Sequence, residues 1–211
     1  MSAQESSPAA PAKVRERWDP ARRREQLLRV AEVVFAEHGY QGTSVADVAA
    51  AAGVTRTLIY KYFKDTDEIY FACLQAARRE LEERFATAAL QHTEPEAQLR
   101  AGVTAYFSFM QTHGPLWDLL YGAGSAVAGP VASDAAQLRY DTAERIALLI
   151  SAAVPHLDAE ASSAAAHVVS GSCEQLAKWW RRHPEVAIDS VVDHFMRTVW
   201  GGLQRTAEFG Q

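Results

Sequence analysis

The stretch TSVADVAAAAGVTRTLIYKYF, residues 43–63, decides how this chain folds. It reads as two short helices joined at a sharp corner. Ser44 is a favoured N-cap, and Asp47 occupies the acidic slot of a capping box three residues on. Val45, Val48, Ala49 and Ala52 recur at helical spacing and give the first helix an apolar face. Gly53 accommodates the left-handed backbone that stops a helix. Val54 is expected to plug the corner, and Thr55 to cap the second helix. Leu58, Ile59, Tyr62 and Phe63 then form its buried side, which turns Arg56, Thr57, Tyr60 and Lys61 outward. A helix N-terminus carrying Thr and Arg, followed one turn on by Tyr and Lys, suits phosphate oxygens and base edges in a major groove. The pattern is that of a helix-turn-helix, with an ordinary helical corner as the plainer reading of the same residues.

The totals bound the rest. The chain has 211 residues, 48% hydrophobic and 22% charged, the composition of a globular protein with one domain or two small ones. No apolar run approaches the roughly 18 residues of a membrane span, and the first residues hold no apolar signal-peptide core. Asparagine is absent, which excludes N-glycosylation. Cys73 and Cys173 make no metal or redox spacing and are expected to be reduced and buried. These features point to a cytoplasmic protein without a membrane partner, metal or cofactor. The net charge is −5, but it is unevenly spread. Residues 1–64 hold 10 Lys/Arg against 7 Asp/Glu, and residues 65–211 hold 11 against 19. A mildly basic front on an acidic remainder suits a nucleic-acid-reading head on a body with another task.

Taken in order, residues 1–17 are rich in Ala, Pro, Ser and charge and read as a disordered tail. Asp19-Pro20 is a strong helix start. Leu27, Val30, Ala31, Val34 and Phe35 follow as a helical stripe, which Gly39 ends. After Phe63, Asp65 and Glu68 announce a helix to about Leu90, long enough to join head to body. The remainder shows helical periodicity throughout, with no strand alternation. Helices are expected over 99–113, 116–121, 133–154, 158–183 and 188–206, with a glycine-rich loop over 122–130. The domains are therefore a head over 18–64 and a body over 65–211. In the last two helices Val168, Val169, Ser172, Leu176, Trp179, Val192, Phe195 and Val199 lie on apolar stripes. A terminal hairpin apolar on more than one stripe is expected to bury a second face in a two-fold dimer, a four-helix bundle of two hairpins; burial within one protomer is the alternative.

Residues 27–69 resemble the DNA-binding domain of the TetR (tetracycline-repressor-like) family. The resemblance rests on phenylalanine before the Gly39-Tyr40 corner, on Thr43, on the alanine-rich turn into Gly53-Val54, and on Tyr60-Lys61-Tyr62-Phe63. It implies an all-α protein: a three-helix head, a linking fourth helix, and a helical effector domain that dimerises through its last two helices. Carried over residue by residue, Thr43 falls where the family holds a backbone phosphate. Arg56, Thr57, Tyr60, Lys61 and Tyr62 fall on the recognition helix, with Ser44 and Thr55 at the two helix starts and Lys64 just beyond. Two departures stand out. Thr57 replaces a common glycine, and Thr66 replaces a common phosphate-binding lysine.

The expected function is a ligand-responsive transcriptional regulator, a repressor that binds a near-palindromic duplex operator as a homodimer and is released by a small apolar or aromatic effector. Tyr106, Phe107, Met110, Trp117, Tyr121 and Tyr140, together with Phe109, offer an aromatic wall for that effector, and His167 and Glu174, seven residues apart, offer polar anchors. Core packing is the alternative for each. The rival classes are a helical protein–protein adaptor and an all-helical enzyme. For the latter, the seven histidines form no His-Glu-x-x-His and neither cysteine has a nucleophile's setting.

Overall fold

A computed structural model describes residues 19–121, 130–154 and 157–204. The expected tail over 1–17 and the glycine-rich stretch 122–129 lie outside them. The described residues form helices and connecting turns without a strand: α1 Pro20–His38, α2 Val45–Ala51, α3 Arg56–Ile59, α4 Thr66–Ala89, α5 Pro95–Thr112, α6 Gly114–Tyr121, α7 Pro130–Ala153, α8 Ala159–Trp180 and α9 Ile188–Phe195. A π-helical turn, Met196–Trp200, continues α9.

Local chemistry explains the head. Asp19 caps α1 by accepting from the Ala21 N–H, and Pro20 opens the helix. Ser44 and Asp47 complete a reciprocal capping box on α2. Gly53 takes a φ of 63°, the left-handed region, which sends the chain round the corner into α3. Thr55 then accepts from the Leu58 N–H as the α3 cap. Past Ile59 the chain tightens into three-residue turns, with Lys61 bonding to Leu58 and Tyr62 to Ile59. The recognition segment is thus one α-turn and a tight continuation rather than a long helix.

At 24 residues, α4 spans about 36 Å. It packs on α1 at one end and on α5, α6 and α7 along its length. One apolar core therefore runs unbroken from Leu27 and Phe35 in the head, through Ile69 and Leu81, to Phe107 and Val169 in the body. Tyr70 joins the two parts: its ring lies 5.0 Å from both Phe35 and Tyr40. The Tyr40 hydroxyl donates to Asp67 at 2.6 Å. That bond raises the phenol's pKa to about 12, with burial adding to it. Helix α1 also packs directly on α6, a second contact between head and body beside the α4 link.

Body boundaries differ from the sequence reading at the prolines. Pro95 and Pro130 open α5 and α7 earlier than periodicity indicated, because proline pre-sets the first helical residue without contributing to an apolar stripe. Helix α9 corrects the expectation for the last hairpin. Val192, Phe195 and Val199, together with Val169 of α8, are buried at 2%, 1%, 6% and 1% exposure within their own protomer. Their faces close on α5 and on each other, so these side chains are not available to a second copy.

Candidate nucleic-acid interface and effector chamber

The head sorts its side chains cleanly. Ile59 and Phe63 are sealed in the core and Leu58 and Tyr62 are half-buried, while Arg56, Thr57, Tyr60 and Lys61 stand in solvent. Neither Arg56 nor Lys61 forms an ion pair among the described residues, so both cationic ends remain free for phosphate or base. Lys64 is likewise exposed, 3.8 Å from the Asp65 carboxylate. Behind this surface the Arg24 guanidinium lies 4.9 Å from the Phe63 ring centre and steadies the end of the segment.

The hydroxyl residues are placed differently from their expected use. Thr43 is buried and its hydroxyl donates to the Gly39 carbonyl at 2.8 Å, closing the α1–α2 corner. That bond occupies the hydroxyl proton that the family resemblance would direct to a phosphate. Ser44 is exposed, but its hydroxyl donates to Asp47 at 2.6 Å. Those bonds from Ser44 hold the Asp47 carboxyl below its ordinary value. Thr55 uses only its oxygen as an acceptor and keeps its hydroxyl proton for a partner.

In the body, Tyr106, Phe107, Met110 and Trp117 come together under α4, and Tyr121 completes the set from the end of α6. Trp117 donates its indole N–H to the Tyr106 hydroxyl at 3.1 Å, and its ring lies 5.4 Å from that of Tyr121. Phe107 meets Trp180 edge-on at 5.8 Å. Phe109 leaves this group and stacks on His113 at 5.0 Å. Burial pushes the Tyr106 phenol well above its ordinary value and the Tyr121 phenol up to about 12. Glu174 reaches the same region and pairs with Lys178 at 2.5 Å.

Tyr140 and His167 do not belong to this aromatic group. Tyr140 is 61% exposed on the outer side of α7, and its ring lies 5.9 Å from the exposed His167 ring. His167 and Glu174 lie seven residues apart on nearly the same line of α8, but the His167 ring is exposed beside Tyr140, while the half-buried Glu174 is taken by Lys178.

Sequence reading missed a buried polar pair. Arg78, 6% exposed, donates from Nε to Glu82 at 3.0 Å, and Glu82 also accepts from Thr142 at 2.6 Å and pairs with Arg145. The signal was present, since Arg78 sits at helical spacing between Leu74 and Leu81, both of which are buried.

On the outer face of α8, Val168 and Trp179 are 55% and 38% exposed, with Ser172 and Leu176 half-buried between them. Trp179 stacks on His183 at 4.7 Å and meets His194 edge-on at 6.4 Å. Among the described residues no group of His, Cys, Asp and Glu could hold a metal, and no helix is long and apolar enough to cross a membrane.

With this geometry in place, the likeness to known proteins covers both parts of the chain. The profile of the tetR family of bacterial regulatory proteins matches residues 27–73, and that of the tetracyclin repressor-like C-terminal domain matches residues 95–202. The transcriptional activator FasR of Mycolicibacterium smegmatis is 27% identical over 181 residues, which is 86% of this chain and 83% of that one. A TetR-like regulator from Rhodococcus sp. RHA1 shares the fold at a TM-score of 0.71 and 24% identity, over 89% of this chain and 99% of that one. The FadR regulator of Bacillus subtilis, solved in complex with stearoyl-CoA, does so at 0.69 and 17% identity, over 81% and 96%. An exposed recognition segment behind a glycine corner, a long linking helix and an all-helical body, matched by profiles over more than half its length, place this chain in the TetR family of DNA-binding transcriptional regulators.

Proposed function

We propose that the protein is a homodimeric repressor that leaves its operator when a small apolar or aromatic molecule enters the body. In this reading residues 18–64 form the DNA-reading head and residues 65–211 the effector and dimerisation unit. Two copies meet through the outer face of α8, around Val168, Ser172, Leu176 and Trp179. Two recognition segments then enter successive major grooves of a near-palindromic duplex, about 34 Å apart or a modest multiple of it. Arg56, Thr57, Tyr60 and Lys61 supply the base and phosphate contacts, with Thr55, Tyr62 and Lys64 at the margins. The protein works in the cytoplasm, where its operator lies, and carries out no catalysis.

The observation that carries this reading is the sorting of side chains in the recognition segment: two aromatic and aliphatic anchors sealed inward and four polar or cationic groups free outward. The effector is expected among Tyr106, Phe107, Met110, Trp117 and Tyr121. The stearoyl-CoA held by the Bacillus subtilis neighbour, with its long acyl chain, supports an apolar ligand body. A ligand acts only through different affinities for the bound and released states. The contacts of α1 with both α4 and α6 offer the route by which a shift at Trp117 or Tyr121 changes the separation of the heads. The test is selection of a binding duplex from a random pool, followed by in vitro transcription from a promoter carrying it. A palindromic consensus and reduced transcription are expected. Failure to enrich any duplex would overturn the reading, and increased transcription would replace repression with activation.

A further inference from the structure

We infer that the effector is an amphiphilic carboxylic acid whose carboxylate is taken by the guanidinium of Arg78. This deepens the proposed effector site and rests on it. A guanidinium has five N–H donors. Arg78 is only 6% exposed, yet among the described residues it spends a single N–H, from Nε, on Glu82. Its terminal nitrogens have no partner among those residues. The Tyr121 hydroxyl also has none among them, and it feels the charge of Arg78. None of these atoms is among the sealed polar atoms that lack a partner, which are Ser162 Oγ and Trp200 Nε1. The terminal nitrogens of Arg78 and the hydroxyl of the half-buried Tyr121 therefore keep solvent contact and unspent donors among the described residues.

Charge and shape select the occupant. Glu82 is fully used: one oxygen accepts from Arg78 and Thr142 and the other pairs with Arg145. Glu174, the other carboxylate near Tyr121, is matched by Lys178. Arg145 and Lys178 are 62% and 39% exposed, so Arg78 is the buried cation of this group, and its terminal N–H groups are the donors left for an added carboxylate. The two terminal nitrogens of a guanidinium match the two oxygens of a carboxylate in a planar, bidentate fit. The Tyr121 O–H adds a third donor. The neighbouring walls are Tyr106, Phe107 and Trp117, which suit an aliphatic or aryl body.

The experiment uses the full chain and reads tryptophan fluorescence and release of a labelled, selected operator. The probes are dodecanoate and 3-phenylpropanoate, each beside its matching primary alcohol, with dodecanoyl-CoA as a further arm. At least one acid should bind and release the operator at a concentration about tenfold or more below that of its alcohol. Arg78→Gln should remove that preference. Tyr121→Phe, which deletes only a hydroxyl and keeps the ring, should weaken the acid severalfold and by more than it weakens the alcohol. Equal binding of acid and alcohol, binding by neither, or binding of the CoA thioester alone would overturn the inference. Retention of the unliganded wild-type protein on its operator separates these outcomes from failure of the proposed function, in which no operator is held.

Discussion

Replacing Arg56 by alanine separates DNA recognition from stability. The side chain is exposed at the first position of α3 and makes no ion pair among the described residues. Its removal is a surface change, so the free energy of unfolding should move by no more than about 0.5 kcal/mol. The cost on DNA is set by its use. A bidentate guanidinium–guanine contact is worth about 1–3 kcal/mol. A two-fold dimer loses it twice, about 2–6 kcal/mol in all, or roughly 30-fold to 20,000-fold in affinity. If Arg56 instead holds phosphate, the slope of log affinity against log salt should fall by about 1 per head. Fluorescence anisotropy with the selected operator at several salt concentrations distinguishes the two, and thermal melting supplies the control. Tyr62→Ala is a poorer probe, because the half-buried Tyr62 packs on the core and its loss would lower stability as well. Unchanged affinity and unchanged salt slope for Arg56→Ala would refute the assignment of α3 as the reading element.

Other substitutions probe other links. Val168→Glu places like charges on an outward position of α8 that is 55% exposed; sedimentation should show monomer with an intact helical spectrum, and a persisting dimer would move the interface elsewhere. Gly53→Ala forces alanine into a φ of 63° with nothing crowding the new methyl. The loss should therefore be backbone strain alone, about 1–2 kcal/mol on denaturant unfolding, and Gly53→Asn should recover part of it. Burial, with the nearby Glu80 charge adding and Arg29 opposing, pushes the Glu32 carboxyl from 4.5 to about 7. The folded state holds that proton more tightly than the unfolded chain, so this stabilising contribution is complete below pH 4.5 and lost as pH rises through 7. Glu32 is partly solvated, which limits the loss to about 1 kcal/mol. Glu32→Gln should therefore be the more stable protein at pH 8, by a margin that closes toward pH 4.5 in urea titrations; a constant difference across that range would contradict the linkage.

The head was legible because its signals are local. Asp19-Pro20, Ser44 with Asp47, Gly53 and Thr55 each act within three or four residues, and each does in the fold what its chemistry indicates. Thr43 is less legible for the opposite reason. Whether a hydroxyl faces a phosphate or a carbonyl four residues back depends on how the corner closes, and the Gly39 carbonyl takes it. In the body, periodicity revealed that faces were apolar but not what covers them. Val192, Phe195 and Val199 read as a second stripe seeking a partner, and the chain itself buries them. Tyr140 read as part of an aromatic wall, but α7 turns it outward beside His167. Arg78 was overlooked because a charged residue within an apolar stripe resembles a surface residue until the neighbours of α4 close over it.

The most direct measurement of the central claim places a cutting reagent on the recognition segment. Thr57 is exposed, whereas the native thiols of Cys73 and Cys173 are buried and held protonated by that burial. Thr57→Cys therefore provides a single reactive site for an iron chelate that cleaves nearby DNA. On the selected operator the account predicts two symmetric clusters of major-groove cleavage, one in each half-site and about one helical turn or a modest multiple apart. Uniform cleavage, a single cluster, or none while the labelled protein remains bound would contradict it.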